Sequence, residues 1–113
     1  MLQLALRTDS EFDAVKAVIV ASDYSGFAVR EVAGDNEHWH WYLEGDKYKT
    51  IRSFRTILLR KVPALVGNAG YSLKACDEKY ENYWKYMCKG DSEGHGPNIA
   101  WSHGLLFSLN RLW

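Results

Sequence analysis

Cysteine, proline and long apolar runs are all scarce in this chain, and their scarcity narrows the classes of protein to consider. The 113 residues include two cysteines, without Cys-x-x-Cys spacing, and two prolines. No secretory signal pattern is present, so we expect Cys76 and Cys88 to be reduced thiols in an intracellular protein. The longest apolar runs, such as the one from Ala17 to Ala21, are far shorter than the roughly 20 residues that span a bilayer. A membrane partner is therefore not expected.

An excess of charge of either sign is also missing. Fourteen basic residues balance fourteen acidic ones, which argues against a protein that coats nucleic acid through bulk charge. The composition is globular, with 47% hydrophobic residues, five tryptophans and seven tyrosines. At this length we expect a single domain over residues 1–113, with 104–113 as a terminal segment or the start of a linker.

Alternation and helical periodicity predict the element order β-α-β-β-α-β-α-β. Leucines at every second position from Leu2 indicate a first strand, and the segment Thr8–Glu11 has a capping-box pattern that opens a helix. The later elements are a hairpin of two strands, a helix that ends at Pro63, a strand at 71–76, a helix at 78–89 and a strand at 98–103. This order predicts an α+β fold, with a largely antiparallel sheet of about five strands and helices packed mainly against one face.

His38 and His40 form the first candidate site. Alternate side chains of a β-strand point to the same face, so the two imidazoles project together while Trp39 and Trp41 turn to the opposite face. Two imidazoles on one face can hold a single ion, although such pairs also occur as solvated histidines.

The preceding strand supplies a carboxylate for the same ion. Residues 27–33 are expected to be extended, and residues 34–37 suit a tight connection, which predicts a hairpin. If Ala33 pairs with His38, Glu31 falls directly opposite His40, and facing side chains lie about 5 Å apart at Cβ. The pattern therefore predicts a metal site formed by Glu31, His38 and His40.

The helix predicted at 78–89 carries a tyrosine and a lysine outside its apolar stripe. At about 100° per residue, Tyr80, Trp84 and Cys88 share one face, whereas Tyr86 and Lys89 lie together away from it. Such a pair serves as a nucleophile with its charge partner, or is simply an exposed tyrosine and lysine near a helix end.

A basic stretch and one aromatic ring are candidates for substrate binding. Six cations and no acidic residue occur from Lys47 to Lys61, which is typical of a solvated helix face or, beside the metal site, of a phosphate-binding surface. Tyr42 shares the strand face of the histidines and is a candidate for stacking a base of unpaired DNA. The residues singled out for DNA binding are Tyr42, Lys47, Lys49, Arg52 and Arg55.

Three motifs together resemble a known family. The combination of His38-Trp39-His40, Arg30-Glu31 on the preceding strand and Tyr86-x-x-Lys89 on a later helix resembles the HUH endonuclease domain of rolling-circle replication initiators. These are the Rep proteins of circular single-stranded DNA viruses and related plasmids. The order and spacing of the motifs match across nearly the whole chain.

The resemblance implies a function and a set of roles. Glu31, His38 and His40 would bind a divalent metal, Mg²⁺ or Mn²⁺, while Tyr86 attacks DNA and Lys89 assists. The implied activity is nicking and rejoining of single-stranded DNA at an origin stem-loop through a covalent 5′-phosphotyrosine, in the host nucleus if the source is a eukaryotic virus. Viral members continue into a helicase, whose Gly-x-x-x-x-Gly-Lys-Ser/Thr loop is absent here. A helicase domain or protein encoded beyond this chain is therefore a further expected partner.

Two other classes stay open. A sheet with aromatic residues and crossover helices is also the architecture of RNA-binding modules. Such modules bind RNA or single-stranded DNA without cutting it. The aromatic RNP-type strand motif of these modules is missing from this sequence. A histidine and carboxylate site is also compatible with a structural Zn²⁺ completed by His95 or His103. A nicking assay on a single-stranded hairpin loop, with and without Mn²⁺, separates the three classes.

Overall fold

The computed structural model describes residues 2–34, 36–66, 70–76 and 99–103, which form an α+β fold with a five-stranded antiparallel sheet. In chain order the strands and α-helices are β1 (Leu2–Thr8), α1 (Phe12–Ala21), β2 (Ser25–Ala33), β3 (Asn36–Gly45), α2 (Ile51–Lys61), β4 (Tyr71–Ala75) and β5 (Ile99–His103). A 3₁₀ turn over Pro63–Leu65 follows α2. The predicted fold class is confirmed, while the helix predicted at 78–89 lies outside the described residues.

The sheet has β3 at its centre. The strand order is β4-β1-β3-β2-β5, and every neighbouring pair is antiparallel. β3 therefore pairs with β1 on one side and with β2 on the other, and β4 and β5 form the two edges.

Alternating side chains give the sheet two different faces. The helix face packs against α1 and α2 and forms the core. The strands contribute to this core Leu4, Leu6, Ala28, Trp41, Leu43 and Leu73, and the helices contribute Val15, Val18, Ile19, Phe54 and Leu58. The other face, which we call the histidine face, carries Glu31, His38 and His40.

Trp41 anchors the central strand in the core. Its indole is completely buried, and Nε1 donates a 2.8 Å hydrogen bond to Oγ1 of Thr8 on β1. Phe12 of α1 stacks on both Trp39 and Trp41, with ring centroids 5.4 and 5.2 Å apart. Because Thr8 is also fully buried, this bond satisfies a hydroxyl whose isolation would cost about 1–3 kcal/mol.

The two helices within the described residues begin in different ways. The predicted capping box of α1 is wrong, because Thr8 belongs to β1 and its hydroxyl accepts from Trp41. Glu11 occupies the N-cap position instead, with φ 63° and no side-chain cap. α2 begins at Thr50, whose hydroxyl oxygen accepts a 3.1 Å hydrogen bond from the backbone N–H of Ser53.

Candidate metal site

A tight hairpin connects the two strands that carry the candidate ligands. Ala33 pairs with Asn36, so two residues separate the strands. Gly34 in this turn has a φ of +64°, a left-handed conformation that glycine adopts without strain.

The register of the hairpin differs from the predicted one by two residues. Glu31 lies directly opposite His38, and Val29 lies opposite His40. The predicted pairing of Ala33 with His38 is wrong, because the connection is shorter than the sequence suggested. A shift of two residues leaves every side chain on the same face of a strand. The predicted set of ligands therefore still converges.

Glu31 contacts both imidazoles through its two carboxylate oxygens. Oε1 lies 3.4 Å from Nε2 of His38, and Oε2 lies 3.2 Å from Nε2 of His40. The two imidazole rings have centroids 5.0 Å apart and are inclined at 77°. One potential ligand atom from each residue lies within 4.8 Å of the others. The three residues form a group that can hold a metal ion, with one oxygen and two nitrogen ligands.

The candidate metal site is open to solvent on the carboxylate side. The side chain of Glu31 is 53% exposed, whereas those of His38 and His40 are 19% and 27% exposed. Burial lowers the pKa of His40, and the Glu31 carboxylate acts against this shift. Because neutral imidazole is the form that binds metals, the burial of His40 favours the ligand state.

Two other acidic residues of β3 stay outside the site. Glu37 forms an ion pair with Arg30 on the opposite side of the hairpin. Glu44 lies on the histidine face but four residues from His40, which is about 13 Å along an extended strand. Burial raises the pKa of the Glu44 carboxyl. Among the described acidic residues, Glu31 is the carboxylate that the fold places against the histidines.

Tyr42 lies on the histidine face, but its ring is completely buried. The ring packs 5.7 Å from that of Phe27, and the hydroxyl oxygen accepts a 2.7 Å hydrogen bond from Nε2 of Gln3. Burial raises the pKa of this phenol far above its usual value. A ring without exposed surface cannot stack on a base, so this structure does not support the stacking role predicted for Tyr42.

The predicted basic stretch does not lie beside the candidate metal site. α2 packs against the helix face, across the sheet from Glu31. The loop with Lys47 and Lys49 follows Gly45, at the end of β3 that is farthest from the hairpin. The amphipathic pattern of α2 predicted a buried side correctly but did not specify which face of the sheet it covers.

Three of the four predicted basic DNA ligands make side-chain contacts within the fold, and that of Lys47 is local, with its Nζ 5.2 Å from the ring centroid of the exposed Tyr48. Nη2 of Arg55 donates to the backbone carbonyl of Leu73 at 3.3 Å, and Nζ of Lys49 lies 5.3 Å from the centroid of the Tyr24 ring. Lys47 and Arg52 are exposed. These two cations are the better candidates for a secondary phosphate surface.

Of the remaining predicted residues, the structure describes only His103. Tyr86, Lys89 and His95 lie outside the described residues. His103 on β5 is opposite Gly26, on the helix-face side, and stacks with Trp101 at a centroid distance of 6.1 Å. A zinc site completed by His103 is therefore not formed.

One cation beside the histidines was not predicted from the sequence. Arg7 on β1 lies directly opposite His40 on the histidine face. Its charge contributes to lowering the pKa of His40, after the larger effect of burial. The alternation of β1 places this side chain away from Leu4 and Leu6, but it does not show that β1 pairs with β3.

Comparisons with protein-family models, curated proteins and solved structures find no match to this chain. Neither of the two described helices has the length and apolar character to cross a membrane. Function is therefore inferred from the candidate metal site and from the sequence motifs.

Proposed function

We propose that this chain is a metal-dependent endonuclease that nicks and rejoins single-stranded DNA at a replication origin stem-loop. The observation that carries the proposal is the convergence of Glu31, His38 and His40 on one face of a hairpin, within 4.8 Å of one another. The resemblance of the motifs to HUH endonucleases supports the choice of DNA as substrate. The tyrosine and lysine of Tyr86-x-x-Lys89 supply the nucleophile and its partner.

The ligand set suits Mg²⁺ or Mn²⁺. One carboxylate and two imidazoles give a mixed set of oxygen and nitrogen ligands, and Mn²⁺ accepts both types. Three protein ligands leave coordination positions for water and a phosphate oxygen, and Glu31 is on the open side. When bound, the ion would polarise the scissile phosphate and offset its negative charge. The role of the protein is to hold the two imidazoles in place on a rigid central strand.

Tyr86 is the proposed nucleophile. Its phenolic oxygen attacks the phosphorus and forms an ester with the 5′-phosphate, while the bond from phosphorus to the 3′-oxygen breaks. The phenol releases its proton and the leaving 3′-oxygen takes one up as a hydroxyl, so the protons balance. A free tyrosine has a pKa of about 10, so the ammonium of Lys89 would favour the phenolate. Return of a 3′-hydroxyl reverses the exchange and rejoins the strand.

A covalent-adduct assay tests the proposal. The protein is incubated with a labelled single-stranded hairpin loop and Mn²⁺, and the adduct is detected on a denaturing gel. Tyr86→Phe should abolish the adduct, because only the attacking hydroxyl is removed. Tyr83→Phe is the matched control, since it removes a hydroxyl from a neighbouring tyrosine and should preserve the adduct.

The same assay identifies the rival classes. Binding of the hairpin loop without any adduct at any Mn²⁺ concentration would contradict the nuclease proposal and favour a non-catalytic RNA-binding or single-stranded DNA-binding module. A protein that binds Zn²⁺ tightly and loses its fold on chelation, without binding nucleic acid, would favour a structural metal site.

A further inference from the structure

Around the metal site, the exposed part of the histidine face is a band across the hairpin end of the sheet. Beyond the metal site, towards the other end of the strands, this face is closed by buried side chains. They are Ala5, Phe27 and Tyr42, and the buried Val29 lies directly opposite His40 on β2. A substrate bound at Glu31, His38 and His40 therefore does not continue along the strands away from the hairpin. The described residues leave it a path across the strands.

Arg7 occupies the next position on that path. It pairs with His40 across the ladder between β1 and β3, and neighbouring strands are about 4.8 Å apart. Its side chain is 42% exposed. Nε of Arg7 is buried and has no hydrogen-bond partner, and the nearest described carboxylate oxygen, Oδ1 of Asp9, is 3.4 Å away. Because Nε is buried, the exposed surface of the side chain belongs to its other atoms, and a phosphate would reach the guanidinium through its two terminal nitrogens.

The path beyond Arg7 stays polar up to the edge of the sheet. Ser72 on β4 pairs with Arg7, and Lys74 pairs with Ala5. Both Ser72 and Lys74 are exposed, and β4 is an edge strand. Two cations and a hydroxyl therefore lie between the metal site and the β4 edge, on the same face as the histidines.

We propose that Arg7 binds the phosphate next to the one held at the metal site, so that the DNA strand leaves across β1 towards the β4 edge. This inference rests on the proposed function, because it assigns the course of the substrate at the same site. Arginine suits this position, since its planar fork donates two parallel hydrogen bonds to a phosphate. Asp9 would hold the guanidinium in place without using all of its donors.

A binding measurement in a protein that cannot cut tests this role. In a Tyr86→Phe background with Mn²⁺, affinity for a short single-stranded oligonucleotide is measured by fluorescence anisotropy over a range of salt concentrations. Adding Arg7→Gln should weaken binding about tenfold, the scale of one charge-assisted hydrogen-bonded contact. It should also flatten the slope of log affinity against log salt by about 0.7, the value for one phosphate contact with a single strand.

Two control variants separate phosphate binding from other effects of charge and fold. Arg60→Gln removes the same charge from an exposed position on α2, and its affinity should stay within about twofold of the parent. Asp9→Asn removes the ionic partner of Arg7, so the freed guanidinium should bind DNA as well as before or more tightly. If the arginine mattered only through its ion pair, Asp9→Asn and Arg7→Gln would weaken binding equally, and the inference would be overturned.

The inference and the proposed function can fail separately. Mn²⁺ affinity of the Arg7→Gln variant, measured by calorimetry, should not fall, because no ligand is removed. If the wild-type protein forms the Tyr86 adduct but Arg7→Gln retains parental affinity and salt slope, only the role of Arg7 is overturned. If the wild-type protein forms no adduct, the nuclease proposal fails, whatever Arg7→Gln does to binding.

Discussion

His40 and Trp41 are neighbours on β3, yet their side chains lie on opposite faces of the sheet and have different surroundings. Trp41 on the helix face is fully buried, packs against α1 and hydrogen-bonds to Thr8. His40 on the histidine face is partly exposed, lies 3.2 Å from the Glu31 carboxylate and pairs with Arg7 across the ladder. At this end of β3 the buried packing lies on the helix face and the candidate metal site on the histidine face. Substitutions one residue apart should therefore separate folding from function.

Trp41→Ala should have the largest effect on the free energy of unfolding. It leaves a large cavity in the helix face and removes the donor to Thr8, so the loss should be about 3–5 kcal/mol. Trp41→Phe keeps most of the ring and should cost less, mainly through the unsatisfied hydroxyl of Thr8. Urea unfolding of the metal-free protein measures both. Equal midpoints for Trp41→Ala and the wild-type protein would show that the two faces do not differ in this way.

His40→Ala and His38→Ala should act on metal affinity. Each removes one of three ligands, so Mn²⁺ binding measured by calorimetry should weaken at least 10- to 100-fold. The free energy of unfolding without metal should change by less than about 1 kcal/mol, because both side chains are only partly buried. His103→Ala is the matched control and should leave Mn²⁺ affinity unchanged, since His103 lies on the helix-face side of β5.

The pH dependence of Mn²⁺ binding sharpens the same test. Protonated imidazole cannot bind a metal, so affinity should fall as the pH decreases below about 6.5, the ordinary pKa of histidine. Because burial lowers the pKa of His40, this residue should stay neutral to a lower pH than an exposed histidine. Affinity that does not change between pH 7 and pH 5 would exclude the imidazoles as ligands.

Lys47 and Arg52 should have the smallest effect. They are exposed and lie away from the candidate metal site, Lys47 in the loop after β3 and Arg52 on α2, so any DNA contact they make is electrostatic and remote from the proposed chemistry. The double variant Lys47→Glu/Arg52→Glu should lower single-stranded DNA affinity and flatten its salt slope by about 0.7 per lost contact. Adduct formation at saturating DNA should persist. A loss of adduct there would show that the two faces are coupled.

The sequence predicted the fold class and the grouping of Glu31, His38 and His40, because both depend on periodicity. Alternation along β2 and β3 places Glu31, His38 and His40 on one face whichever even register the hairpin adopts. The register itself was not predictable, since residues 34–37 are compatible with turns of different length. The burial of Tyr42 was also missed. Both faces of the sheet carry apolar residues, and a strand pattern alone does not indicate which positions are covered.

The positions of Arg7 and α2 in the fold could not be predicted from local sequence patterns. Which strand lies beside β3, and which face α2 covers, depend on contacts between residues that are distant in the chain. Phe54 and Leu58 of α2 share one buried core with Leu4 and Leu6, but nothing in the sequence around the helix specifies that choice. The capping box predicted at Thr8 is wrong for a similar reason. The Thr8 hydroxyl accepts a hydrogen bond from Trp41, which lies 33 positions away in the sequence.

The two-residue turn between Ala33 and Asn36 has a consequence for how the hairpin can change in length. Residues inserted within the turn lie outside the ladder, so the pairing of Glu31 with His38 would persist. A single residue inserted within the ladder, between Glu31 and Ala33, would turn the carboxylate to the opposite side of the sheet. In homologous sequences, insertions and deletions should therefore accumulate at Gly34. Deletions inside the ladder should be tolerated only when two residues are lost together.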